Sequence, residues 1–214
     1  GQPELPASLP GTSRGEGVSA HRLVLASASP RRAEILETLG LAFEVRPSKA
    51  DESALVAEHD TSFVRAAAVA KLTDVLDSIE DATAFVLAAD TVVCVDGQRL
   101  GQPVDDDDAL RMLRLLVGRD HVVRTAVALG QIGRGVLECR DVETRVWFRD
   151  ADLQELRRYV ATGESRDKAG AYGVQGLASG FVTRLEGSYT NVVGLPAVEV
   201  VGLLLKHGAL DQWP

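Results

Sequence analysis

Two hydroxyls and two guanidinium groups fall within six consecutive residues, Ser27-Ala28-Ser29-Pro30-Arg31-Arg32. The segment follows a short apolar run, Arg22 to Ala26, that reads as a strand. Ser29-Pro30 then has the form of a helix start, a capping residue followed by proline at the first helical position. The first turn of a helix presents free N–H groups and the positive end of the macrodipole, so it favours anions. Arginines in that turn oppose the dipole, at about 0.3–1 kcal/mol each, unless something negative is bound. A phosphate chain resolves the conflict. The plainer alternative is an N-cap at Ser29 with both arginines turned to solvent or to carboxylates.

Glu52 and Asp90 are the candidate acids. Asp90 ends the run Phe85-Val86-Leu87-Ala88-Ala89, where a buried strand can present its last side chain to a crevice. Hard divalent cations such as Mg²⁺ take carboxylates together with phosphate oxygens. One of these acids could also accept a proton from an attacking water. For both, a turn carboxylate bonded to backbone is the competing reading. Lys71 is informative because it is out of place. At 100° per residue it falls on the stripe of Val64, Ala68 and Val75, the inward face of its helix. A lysine there costs free energy unless it is paired or reaches a wet cleft, or snorkels to solvent from the edge of the stripe.

Asp167-Lys168-Ala169-Gly170-Ala171-Tyr172-Gly173-Val174-Gln175-Gly176 surrounds polar side chains with glycine, which allows backbone to approach a ligand closely. It reads as a substrate loop, with a plain connection as the alternative. No GxxxxGK[ST] or GxGxxG occurs, which argues against P-loop and dinucleotide-binding chemistry. Asp105 to Asp108 suit a helix start electrostatically and need no metal. His21, His59, His121 and His207 lack ligand spacing, which disfavours catalytic zinc.

The elements that must position these groups alternate along the chain. Strands are expected at Arg22–Ala26, Ala42–Arg46, Ala84–Val95, His121–Ile132, Val136–Phe148 and near Phe181–Glu186. Helices are expected from Ser29 to Gly40, over Thr61–Ile79, Asp105–Leu116 and Ala151–Ala161, and from Pro196 to Lys206. Interleaving of this kind indicates an α/β fold. Residues 1–20 read as a flexible tail, 21–208 as one domain without a linker, and 209–214 as a second tail. The length of 214 residues and an apolar content of 45% are sufficient for a sizeable core. A formal net charge of −8 disfavours non-specific binding to nucleic acid or anionic membranes. A polyanionic substrate must then be met by locally concentrated cations. No apolar run is long enough to span a bilayer, and neither a signal peptide nor a disulfide or zinc framework is expected from this sequence. With Cys94 and Cys139 far apart, a reducing, cytoplasmic location is expected.

Taken together, these segments resemble the Maf family of nucleotide pyrophosphatases. The matching motifs are Leu25-Ala26-Ser27-Ala28-Ser29-Pro30-Arg31-Arg32, Phe43-Glu44-Val45 through Asp51-Glu52, and Ala89-Asp90-Thr91-Val92-Val93. Further on stand Gly118-Arg119, Asp167 to Gly173, Glu186-Gly187-Ser188-Tyr189 and Asn191 to Pro196. The resemblance implies cleavage between the α- and β-phosphates of a nucleoside triphosphate with Mg²⁺ or Mn²⁺. It also implies a mixed twisted sheet with flanking helices, two lobes around a central cleft as in the inosine-triphosphate pyrophosphatases, and often a homodimer. By the same resemblance Ser27, Arg32 and Lys168 would hold phosphates, and Glu52 and Asp90 would handle metal and water. Lys71, with Lys168, would neutralise developing charge. Arg31, Thr91 and Gln175 match positions associated with dTTP and UTP, which favours a pyrimidine nucleotide over 7-methyl-GTP or another modified nucleotide; a regulator that binds nucleotides without turnover is the alternative of a different class, which Gln102 leaves open. One departure stands out: Gln102 occupies a place where the family usually has lysine.

Overall fold

The computed structural model describes residues 21–51, 55 and 59–214. Glu52 and the expected tail at 1–20 lie outside the described residues. The centre of the fold is β3 (Phe85–Val95), an eleven-residue strand with almost every side chain buried. Such a run reads as continuously apolar because both faces of the strand are covered. Phe85, Leu87 and Ala89 enter a core with α1 (Pro30–Thr38) and α6 (Ala197–Lys206). Val86, Ala88, Val92 and Cys94 face the opposite way, onto α2 (Asp60–Leu76). Val93 and Val95 join a third core with α3 (Asp106–Leu116) and α4 (Leu153–Ala161).

The sheet runs β2-β1-β3-β5-β6-β7 and is mixed. β1 (Leu23–Leu25) is parallel to both β2 (Glu44–Val45) and β3, as a strand–helix crossover through α1 and α2 requires. β5 (Asp120–Gln131), β6 (Gly135–Phe148) and β7 (Val182–Glu186) follow antiparallel. The two edges of β3 are treated differently. β5 covers one edge from Phe85 to Cys94. The other edge is paired with β1 only from Phe85 to Leu87. It is paired again with β4 (Gln98–Leu100) from Val93 to Val95. Between Ala88 and Val92 this edge has no strand neighbour among the described residues, so the sheet splits around the middle of β3.

Most expected elements are present, with shorter ends. The strand expected over Ala42–Arg46 contracts to Glu44–Val45, and α2 stops at Leu76 although Ile79 beyond it remains buried. Among the strands and α-helices two were not anticipated, β4 and the single-turn α5 (Tyr189–Val193). Both are too short to display a period. The expected tail at 209–214 packs in part: Ala209 and Leu210 are buried with α6, and the Trp213 indole N–H donates to the Leu39 carbonyl at 3.0 Å. Apolar burial and that bond hold the segment down. No described helix is long and apolar enough to cross a membrane.

Candidate active site

A cavity of about 340 Å³ opens at the split in the sheet. The N-terminus of α1, the inner face of α2, the middle of β3, the end of α5 and the segment 167–175 all contribute to its wall. Because side chains alternate along a strand, Asp90 and Thr91 leave β3 on opposite faces, yet both line this cavity. That is consistent with the missing strand neighbour, since the cavity passes around the exposed edge. The crevice outside a parallel pair, where the strand order changes, is the usual ligand position in open α/β sheets.

On the α2 side, Lys71 Nζ donates to Asp90 Oδ1 at 2.7 Å. Both side chains are largely buried, at 18% and 10% exposure. The lysine that looked misplaced in sequence is therefore paired at the cavity wall and does not snorkel to solvent. On the other side three bonds among the described residues hold Arg32. Its Nε donates to the Gly194 carbonyl at 2.8 Å, Nη1 to Ser27 Oγ at 3.1 Å, and Nη2 to Thr91 Oγ1 at 3.2 Å. The Thr91 hydroxyl meets Thr125 Oγ1 at 2.8 Å, and Thr125 in turn donates to the Asn191 carbonyl at 3.0 Å. With the Thr125 proton committed to that carbonyl, the Thr91 hydroxyl is the donor to Thr125. Thr91 thus serves Arg32 as an acceptor and anchors it to the fully buried Thr125.

Ser27 sits behind this arrangement. It is 7% exposed, accepts from Arg32 and from the Ser29 backbone N–H at 3.2 Å, and is not part of the cavity wall. Ser29 does line the cavity, and its side chain makes no capping bond, so the serine read as an N-cap is the one exposed to a ligand. Arg31 reaches across to the segment 167–175, donating to Asp167 Oδ2 at 2.8 Å and to the Asp167 carbonyl at 2.9 Å. Lys168 Nζ donates to Asp167 Oδ1 and to the Glu164 carbonyl, both at 2.6 Å. Burial pushes the Asp167 carboxyl up, but hydrogen bonds and charge from Lys168 and Arg31 outweigh it and bring it down to about 2. The arginines of α1 are thus satisfied without a ligand, contrary to the conflict expected from the dipole alone. Gln102 also donates to the Asp167 carbonyl, at 3.3 Å. Gln175 is exposed on the cavity wall.

The structure brings Asp90, Lys71, Arg31, Arg32, Thr91, Lys168, Gln102 and Gln175 to one cavity. Sequence reasoning assigned no role to Asp167, although it stands next to Lys168 in the segment singled out. It also missed Tyr172, whose hydroxyl lies 2.8 Å from His121 Nε2 beneath the wall. The glycines of this segment have a structural reason that sequence did not reveal: a Cβ on Gly170 would lie 2.8 Å from Val93 Cγ2. Among the described residues no three His, Cys, Asp or Glu side chains cluster as a metal site. The Asp90 carboxylate is nevertheless the kind of donor that Mg²⁺ uses when phosphate oxygens and water complete its octahedron.

An α/β protein in which the Lys71–Asp90 pair faces two guanidinium groups and a second lysine across a cleft defines a class that handles phosphorylated ligands. Residues 22–207 match the family model described as Maf-like protein, and the chain belongs to that family. A protein of Nitratidesulfovibrio vulgaris named dTTP/UTP pyrophosphatase is 46% identical over 202 residues, covering 93% of this chain and 94% of its own. One of Moorella thermoacetica with the same name is 47% identical over 192 residues, covering 90% and 97%. A crystal structure of a nucleoside-triphosphatase, dITP/XTP pyrophosphatase, from Mycobacterium abscessus aligns with 59% of this chain and 74% of its own at 17% identity and a TM-score of 0.34, too distant a likeness to bear on the site.

Proposed function

We propose that this protein hydrolyses nucleoside triphosphates between the α- and β-phosphates, releasing a nucleoside monophosphate and pyrophosphate, with dTTP, UTP and related pyrimidine nucleotides as substrates. The observation that carries the reading is the Lys71–Asp90 pair facing Arg31, Arg32 and Lys168 across one cavity. The names of the relatives in Nitratidesulfovibrio vulgaris and Moorella thermoacetica support the reaction and the bases.

The chemistry follows from the placement of charge. A water oxygen attacks the α-phosphorus and the bond from that phosphorus to the bridging oxygen of the β-phosphate breaks. The water's proton passes to the Asp90 carboxylate, which Lys71 holds in place. Pyrophosphate leaves with added negative charge. Arg32, fixed in advance by Gly194, Ser27 and Thr91, and Lys168 are the cations that meet it. Mg²⁺ or Mn²⁺, held by Asp90 and by Glu52, would neutralise phosphate charge when bound.

Pyrophosphate release measured across dTTP, UTP, CTP and 7-methyl-GTP tests the reading. Monophosphate and pyrophosphate should form, fastest from dTTP and UTP. Orthophosphate as the product, or a preference for 7-methyl-GTP, overturns it.

A further inference from the structure

Glu164 occupies the turn between α4 and the segment that lines the cavity, and it fastens that segment at both ends. Its main-chain carbonyl accepts from Lys168 Nζ at 2.6 Å. Its carboxylate accepts from the backbone N–H groups of Leu177 at 2.8 Å and Ala178 at 3.2 Å. These are the first two N–H groups of the 3₁₀ turn Leu177–Gly180. Such groups have no partner within the turn, and Gly176, in the cap position, has no side chain to supply one. The Tyr159 hydroxyl donates to the same carboxylate at 3.1 Å and steadies it. Burial, helped by the Glu164 charge, pushes the Tyr159 phenol up, which keeps it a donor. The fit is close enough that a Cβ on Gly176 would lie 2.4 Å from Glu164 Oε2.

Between the two anchor points stand Lys168, Tyr172 and Gln175, all on the cavity wall. The Lys71–Asp90 pair belongs to α2 and β3 and makes no bond to Glu164. We infer that Glu164 is a positioning residue: its carboxylate sets the conformation of the far end of the segment, residues 173–178, and through Gln175 it governs how tightly the nucleotide is held by its base. Lys168, bonded to a main-chain carbonyl that any residue at 164 supplies, and the proton-transfer pair keep their places. The inference rests on the proposed pyrophosphatase reaction. One arm of its test does not need turnover.

In Glu164→Ala, KM for UTP should rise about ten- to a hundredfold, the scale of losing charge-assisted bonds to two backbone donors, with kcat within about threefold of wild type. Glu164→Gln should fall between the two, since the amide oxygen can accept one N–H while its NH₂ opposes the other. It also serves if the alanine variant does not fold. In the same variants the Leu177 and Ala178 amides should exchange with solvent at least about tenfold faster, while those of β3 and β5 keep their protection. A fall in kcat at constant KM, accelerated exchange throughout the sheet, or unchanged exchange at Leu177 and Ala178 each overturns the inference. A wild-type protein that releases no pyrophosphate from any nucleotide overturns the functional reading and the KM effect. The exchange result would still report on the anchoring.

Discussion

Lys71 Nζ lies 2.7 Å from Asp90 Oδ1 at the stretch of β3 that has lost β1 as a neighbour and not yet gained β4. An uninterrupted sheet would bury that stretch of edge against another strand. The split makes room for a ligand and leaves a carboxylate and an ammonium group at its margin. Burial of a lone charge there would be costly, so each of the two makes the other tolerable.

Asp90→Asn keeps the shape of the side chain but removes the charge and the proposed proton acceptor. Turnover of UTP should fall by roughly 10²–10⁴. The melting temperature should drop modestly because Lys71 exchanges a carboxylate for an amide. Turnover close to wild type would show that Asp90 is not the base.

Arg31 and Arg32 should separate under mutation. From the sequence, both arginines await phosphate, and removing them should leave the empty protein equally stable or slightly more so. The three bonds made by Arg32 give a different expectation. Arg32→Ala should cost about 1–3 kcal/mol, with Thr91 and the Gly194 carbonyl losing a charged donor. Arg31→Ala, whose partner Asp167 is 57% exposed, should cost at most about 1 kcal/mol. Denaturant midpoints of the two variants decide this. Equal losses would refute the distinction.

His121 should make stability pH-dependent in a narrow window. Burial pulls its imidazole from 6.5 down to about 4, against the raising effect of Asp120. The unfolded chain therefore binds the proton more readily than the folded one between those values. Stability is constant in this respect above pH 6.5 and falls as pH drops toward 4, by roughly 3 kcal/mol in total. His121→Gln, which can still meet the Tyr172 hydroxyl, should flatten that part of the curve. Unfolding free energies of both proteins from pH 7 to pH 4 provide the measurement. Parallel curves would mean that His121 titrates normally.

Gln175 is the test of base choice. Uracil and thymine offer an O4 acceptor beside an N3–H donor, which a glutamine amide can satisfy together. A glutamate would repel O4 yet still accept from the amino group of cytosine. Gln175→Glu should lower kcat/KM for UTP and dTTP by roughly 5–150-fold, with a much smaller loss for CTP. Equal losses on all three nucleotides would place Gln175 away from the base edge.

Local signals in the sequence were enough for most elements and for several side chains at the site. The continuously apolar run before Asp90 marks a strand buried on both faces, Ser29-Pro30 marks a helix start, and Lys71 breaks an apolar stripe. Each depends on neighbours within a turn or two of chain, where spacing alone reports environment. Which groups meet across the fold was decided elsewhere. Lys71 faces Asp90 and Arg31 crosses to Asp167 over the gap that forms where β3 takes β1 and β4 on one edge and β5 on the other, and Glu164 reaches Leu177 because the segment between them folds back on itself. Strand register and the gap it leaves are properties of long-range pairing, to which short segments such as Gln98–Leu100 contribute without any period of their own. So the sequence by itself determined the α/β class and a concentration of phosphate-seeking side chains. Only the tertiary structure decided that those side chains share one cavity, that the arginines are already bonded within it, and that Ser29 lines it while Ser27 stands behind.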